Sequence, residues 1–227
     1  MKTSNKLLTG FTGTLVLLML FSAIILRVNY SKGITHNTTQ TVINRDHHKE
    51  TIHPFKVLLL TGVQTTTPGD IEEYENSTQI DISYRPEYSL QHQGGVTFRQ
   101  YGDTLHITAQ PSHDIQLTCP TLETIDCRQA DLNIDGFTLP LLAVHMGQFS
   151  AAVFSNIKVN NFSFAGDQGS SLNIQQDSKA DSIRIKLGKS SALTFSDIPY
   201  RYADIQVDSL RALHISGKAL QHITVIK

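Results

Sequence analysis

Residues 170–195 read SSLNIQQDSKADSIRIKLGKSSALTF. Three times in that stretch two apolar residues flank a polar one: Leu172-Asn173-Ile174, Ile183-Arg184-Ile185 and Leu193-Thr194-Phe195. Side chains alternate between the faces of a strand, so each triplet predicts a short strand with an apolar dyad on one side. Asp, Gly, Ser and Lys separate the triplets, which is turn chemistry. Leu172 and Leu193 lie 21 residues apart, with one further triplet between them.

The same spacing extends in both directions as two interleaved series. One runs Val96/Phe98, Ile115/Leu117, Leu132/Ile134, Ala151/Val153, Leu172/Ile174, Leu193/Phe195 and Leu213/Ile215, with steps of 19, 17, 19, 21, 21 and 20 residues. The other runs Leu105/Ile107, Ile125/Cys127, Val144/Met146, Phe162/Phe164, Ile183/Ile185, Ile205/Val207 and Ile223/Val225, with steps of 20, 19, 18, 21, 22 and 18. Two strands per repeat of about 20 residues predict an all-β chain, a single-stranded parallel β-helix or β-solenoid. One repeat cannot bury its own apolar dyads; stacking does it. In this register Ile183, Ile205 and Ile223 stack, as do Leu172, Leu193 and Leu213. Lys56–Val63 reads as a first strand capping the N-terminal end. No helix or polar strand is evident after Val225 to cover the final coil, so self-association through the C-terminal coil is expected.

Leu7 to Leu26, LLTGFTGTLVLLMLFSAIIL, is twenty residues without a charge. That length spans about 30 Å as a helix, the thickness of a bilayer's hydrocarbon core. Ser22-Ala23 is followed by Ile24-Ile25-Leu26 and Arg27, which is a poor signal-peptidase site, so a retained signal-anchor is expected. The expected organisation is a short cytoplasmic N-terminus at 1–6, a transmembrane helix at 7–26, a polar linker at 27–53 and a β-solenoid at 54–227. The solenoid is expected to lie in the periplasm or outside the cell. The linker holds His36, His47, His48 and His53 without any fixed ligand spacing, and reads as a solvated tether.

Composition narrows the partners. The chain has 227 residues, with Lys+Arg 19, Asp+Glu 20 and a net charge of −1. With no basic excess to neutralise phosphates, a nucleic-acid partner is not expected. The membrane is the partner assigned to the N-terminal helix; a protein or surface-glycan partner for the solenoid stays unidentified.

Several stretches carry a family resemblance. HPFKVLLLTGV (53–63), GDTLHIT (102–108), LTCPTLETIDCRQADLNIDGF (117–137), residues 170–195 and ADIQVDSLRALHISGKALQHI (203–223) together resemble the GIN domain, or auto-transporter adhesin head domain. The resemblance covers residues 55–227 and departs at TTTPGDIEEYENSTQIDISY (65–84). It implies a membrane-tethered or secreted β-solenoid of Bacteroidetes-type bacteria, and adhesion by analogy. It supplies no catalytic residues.

Chemistry is sparse. His106, Asp126 and His145 occupy outward positions of the second series and form the one candidate ladder for a metal or proton relay; a plain polar ladder is the stronger expectation, so no metal or cofactor is assigned. Cys119 and Cys127 sit at apolar parity, either as buried free thiols or as a disulfide across a corner. No G-x-S-x-G, H-E-x-x-H or phosphate-cradling Gly loop is present. Asp167, Asp177, Asp181, Asp197, Asp204 and Asp208 read mostly as turn residues. The expected function is a non-enzymatic, envelope-anchored surface for adhesion or protein contact. A glycan-binding or polysaccharide-active module, and an envelope sensor or assembly subunit, are the alternatives.

Overall fold

The computed structural model describes residues 48–63, 78–110, 113–175 and 177–222. The predicted transmembrane helix at 7–26 and the linker up to residue 47 lie outside the described residues. Among the described residues no helix is long and apolar enough to cross a membrane.

The described chain is all-β. Its strands are β1 (His48–Thr51), β2 (Val57–Gly62), β3 (Thr78–Tyr84), β4 (Ser89–His92), β5 (Val96–Tyr101) and β6 (Thr104–Ala109). They continue as β7 (Asp114–Cys119), β8 (Thr124–Arg128), β9 (Ala130–Asp135), β10 (Thr138–Met146), β11 (Ala151–Ser155) and β12 (Lys158–Gly166). The last are β13 (Ser171–Ile174), β14 (Lys179–Leu187), β15 (Ser191–Ser196), β16 (Tyr202–Val207) and β17 (Leu210–Ser216), followed by a 3-10 helix at Gly217–His222. One sheet has nine strands in the order β1-β4-β7-β3-β9-β11-β13-β15-β17. The other has eight, in the order β16-β14-β12-β10-β8-β2-β6-β5. From β8 onward successive strands alternate between the sheets, and each pairs in parallel with the strand two later. The inward faces meet, as where Phe154 of β11 and Phe162 of β12 pack edge to face at 5.1 Å.

The expected place of Lys56–Val63 is corrected. β2 does not cap the stack; it lies inside it, between β6 and β8. Leu58 is the register partner of both Leu105 and Ile125, and in the other sheet Ile80 of β3 partners both Ile115 and Leu132. The chain therefore lays down β2–β3 first, builds β6–β7 on one side, then steps past its own beginning to place β8–β9 on the other. Leu58 and Leu60 are buried as a result. Order along the chain carries no such information. The capping role falls to antiparallel strands: β5 against β6, and β1 against β4, which pairs with β7. Val96/Phe98 thus belongs to the edge of the eight-stranded sheet and not to the first series. β1 lies within the stretch read as linker; its HKET side chains are all exposed and leave no apolar signal.

Register is partly as expected. Leu172, Leu193 and Leu213 are partners in sequence across β13, β15 and β17. In β11 the inward pair is Ala152/Phe154, aligned with Leu132/Ile134, and not Ala151/Val153. A slip of one residue exchanges the faces of a strand, and the run Ala151-Ala152-Val153-Phe154 offers apolar residues at both parities. The second series slips by two residues at two places: Val144 partners Phe164, and Ile205 partners Ile185, while Ile183 partners Ala203. A slip of two keeps every side chain on its face, so the hydrophobic pattern does not betray it. Ile223 and Val225 lie outside the described residues.

The corners supply a second periodicity. Gly136, Asn156, Asp177, Asp197 and Gly217 all have left-handed backbones, with φ of 82°, 53°, 68°, 55° and 66°. Gln129, Phe149, Gly169 and Ser190 do the same at another corner, with φ of 57°, 57°, 71° and 56°. Gly, Asn and Asp enter this region at the least steric cost, which explains most of these identities. Except after Gly217, where Lys218 is exposed, the residue that follows turns inward: Phe137, Ile157, Ser178 and Ile198 are buried, as are Ala130, Ser150, Ser170 and Ser191. Polar side chains tie successive corners together. Asn156 Nδ2 donates to Asp135 Oδ1 at 2.8 Å, and the Ser170 and Ser191 hydroxyls share a hydrogen bond at 3.3 Å.

At the far end the 3-10 helix follows β17, where no helix was expected. Ala219 is buried, and its carbonyl accepts the Tyr200 hydroxyl at 2.7 Å. The cover is partial. Leu213 remains 42% exposed although it points along the inward row of Leu172 and Leu193.

The interior placement of β2 predicts the behaviour of two glycines. A Cβ at Gly62 would collide with the carbonyl oxygen of Gln129, whereas one at Gly94 would meet nothing within 4 Å. Gly62→Ala should cost about 1–3 kcal/mol, the usual range for forced overpacking. Gly94→Ala should leave the urea midpoint unchanged. Equal midpoints for the two variants would place β2 elsewhere.

Candidate functional site

The outward face of the eight-stranded sheet carries the residues singled out by the sequence. Strand pairing puts Asp126 of β8 directly beside His145 of β10. His106 of β6 is not their neighbour, because Leu59 of β2 stands between it and Asp126. Its ring packs edge to face against Tyr101 at 5.6 Å instead. The insertion of β2 thus breaks the predicted three-residue ladder into a pair and an isolated histidine.

Two residues outside the predicted ladder join the pair. His145 Nδ1 lies 3.6 Å from Asp126 Oδ1, and its Nε2 lies 3.7 Å from Asp167 Oδ1. Arg128 approaches Asp126 with Nε at 3.2 Å and a terminal guanidinium nitrogen at 3.3 Å. The hydrogen bond that Arg128 donates to Asp126 raises its guanidinium further above the ordinary value, so it stays charged. Arg128 was legible in principle, since it sits two residues after Asp126 and so shares its face. Asp167 was read only as a turn residue; it lies just past the end of β12, where the register brings it to His145.

Farther along the same face Arg184 meets Asp204 at 3.9 Å. The nine-stranded sheet shows the same habit, with Asn133 Nδ2 donating to Asp81 Oδ1 at 2.8 Å. The exposed ion pairs among these contribute about 0–1 kcal/mol each. Their effect is on side-chain order, and they hold groups of both signs at strand spacing.

Cys119 and Cys127 are free thiols, both fully buried, on β7 and β8 in different sheets. Burial pushes the Cys119 thiol from 9.0 up to about 12, against a weaker opposing hydrogen bond at Thr121. Burial also pushes Cys127 upward, with the Asp131 and Asp126 charges adding to it, and its Sγ donates to the Ala130 carbonyl at 3.4 Å. Neither thiol is a nucleophile at neutral pH, because the thiolate is the reactive form.

No family model and no curated protein matches the chain. Among solved structures, it is similar to a "putative adhesin" from Bacteroides fragilis, at 11% identity and a TM-score of 0.40, covering 75% of this chain and 96% of that one. A "putative adhesin" from Parabacteroides merdae matches at 6% identity and a TM-score of 0.36, covering 75% and 95%. A "putative lipid binding protein" from Parabacteroides distasonis matches at 10% and 0.35, covering 77% and 96%. At these values the likeness assigns neither a family nor a role.

The thiols yield a pH prediction. Their folded pKa values are raised, so the folded state keeps protons that the unfolded chain releases. Stability is therefore full below about pH 9 and falls as pH rises from 9 toward 12. At pH 8 a thiol reagent should label neither cysteine in the native protein and both in denaturant. Labelling of the native protein at the rate of a free peptide would contradict the burial.

Proposed function

We propose that this chain is a non-enzymatic β-solenoid, anchored in a bacterial cell envelope by its N-terminal segment, that presents its outer faces for adhesion or protein contact. The solenoid reading rests on the alternation of β8 to β17 between two sheets at intervals near 20 residues. The observation that carries the functional reading is the organisation of the outward side chains. At successive strands they engage one another, as Asp126 with Arg128 and His145, His145 with Asp167, and Arg184 with Asp204. A field of fixed, mixed charges spread along a sheet suits a broad, flat contact, in which such complementarity sets specificity. The charged Arg184 and Lys186 stand exposed on β14, next to the edge strand β16.

A second reading concerns the end of the stack. Ala203, Ile205, Val207, Leu210 and Ile215 are only partly buried there, and Leu213 is exposed. The opposite end is finished by antiparallel strands, but among the described residues β16 and β17 are the last strands of their sheets, with only the 3-10 helix beyond. Open parallel edges with an apolar row between them are templates for pairing. A second copy of this chain, meeting end to end about a two-fold axis, would pair these edges antiparallel.

Two experiments test these readings. Cells displaying the chain should adhere to partner surfaces more than cells lacking it, and Arg184→Asp with Lys186→Asp should reduce that adherence several-fold while expression stays level. Turnover of a polysaccharide by the purified chain, or adherence indifferent to the chain, would reject the first. For the second, residues 45–227, the compact unit, should show a mass by light scattering that rises with concentration, and Leu213→Asp should hold it at the monomer value. A wild-type mass that stays monomeric at every concentration rejects the end-to-end dimer.

A further inference from the structure

A site separate from these faces lies where β1 meets β4. The two strands pair antiparallel, with His48 opposite His92 and Glu50 opposite Leu90. His92 is 6% exposed, and its ring packs edge to face with that of Phe98 at 6.2 Å between centroids. Its Nδ1 lies 2.8 Å from the backbone oxygen of Gln93. A carbonyl oxygen only accepts, so Nδ1 carries the proton, and in the neutral ring Nε2 holds the lone pair. That buried Nε2 makes no hydrogen bond to the protein, and it faces Glu50 Oε1 at 3.5 Å.

An imidazole lone pair and a carboxylate repel unless something positive lies between them. A shared proton would draw the two atoms to about 2.7–2.9 Å, the usual length of a charge-assisted bond. The observed 3.5 Å is instead close to the edge of a zinc tetrahedron: with ligand bonds near 2.1 Å, neighbouring donors stand about 3.4 Å apart. The hydrogen bond from Nδ1 to a backbone carbonyl is also the partner that metal-bound histidines use to fix ring and tautomer. The His48 ring stands 5.9 Å from that of His92, tilted by 38°. Among the described residues no three such side chains yet surround one point. His48 is exposed at the start of β1, so its side chain is free of core packing, and the site requires that it rotate toward the Glu50 carboxylate as the third donor.

We propose that His92 Nε2, the Glu50 carboxylate and His48 form a binding site for a borderline transition-metal dication such as Zn²⁺, with the remaining position open to water. Two imidazoles and one carboxylate suit zinc; calcium and magnesium prefer oxygen shells. The ion would pin β1 to β4. β1 is a short edge strand of four exposed residues, tied to β4 by its backbone ladder and to Glu87 through Lys49, and the metal would add a side-chain tie between the two strands.

The test is Zn²⁺ titration of the untagged full chain in detergent, by calorimetry, together with Co²⁺ absorption to report tetrahedral coordination. One equivalent of Zn²⁺ should bind, Ca²⁺ and Mg²⁺ should not compete, and hydrogen exchange of the β1 amides should slow on binding. His48→Ala and Glu50→Gln both alter exposed positions on an edge strand, so folding should persist by circular dichroism. Each removes a ligand and should weaken Zn²⁺ by about 10-fold or more, at least the loss that removing an outer-shell partner brings. The variants avoid His92, whose burial would confuse lost binding with lost folding. Absence of uptake by the wild-type chain overturns the site, and so does uptake that either substitution leaves undiminished.

Discussion

Parallel, in-register stacking is the constraint on which the rest of this structure depends. A single pair of strands here carries two or three inward apolar residues on each sheet, too few to exclude water. Placed on its neighbour, the same pair continues a column such as Leu132, Ala152, Leu172 and Leu193, and the backbone groups of each strand are satisfied on both sides. Columns of the two sheets also meet each other across the interior, as Phe154 does with Phe162. Stability then accumulates from neighbour to neighbour. The same rule makes the ends the weak places.

Stacking works only if the chain turns at the same points in every repeat. The left-handed residues at 136, 156, 177, 197 and 217, and at 129, 149, 169 and 190, are those points. Gly, Asn and Asp fill most of them at little cost. Gln129, Phe149 and Ser190 depart from this, and Phe149 is the bulkiest: its φ is 57°, it is 48% exposed, and its ring lies over Gly169. A side chain at Gly169 would collide with that ring, so the two identities depend on each other. Behind each corner the buried serines 150, 170 and 191 satisfy hydroxyls against carbonyls and one another, a polar seam inside an apolar stack.

The outward chemistry follows from the same geometry. Strand pairing decides which polar side chains meet, and a single inserted strand separates His106 from Asp126 while leaving His145 between two carboxylates. The His92 and Glu50 pair arises differently, from an antiparallel strand added at the edge, where a buried ring is aimed at an exposed carboxylate. Both arrangements are products of which strands lie adjacent, and neither is written in any local motif.

The sequence by itself determined strand type, the repeat of about 20 residues, the parity of most apolar dyads and the turn role of Asp177 and Asp197. These are local properties, set by alternation and by backbone preference, and so they survive reading one residue at a time. Tertiary structure alone decided that β2 and β3 lie inside the stack, that Ile205 stands over Ile185, and that β1, β4 and β5 finish one end. A shift of two residues leaves every side chain on its face, and a strand fits equally well at an edge or between neighbours as far as its own pattern can tell. Only the competition among all strands for partners resolves those choices, and with them which histidine meets which carboxylate.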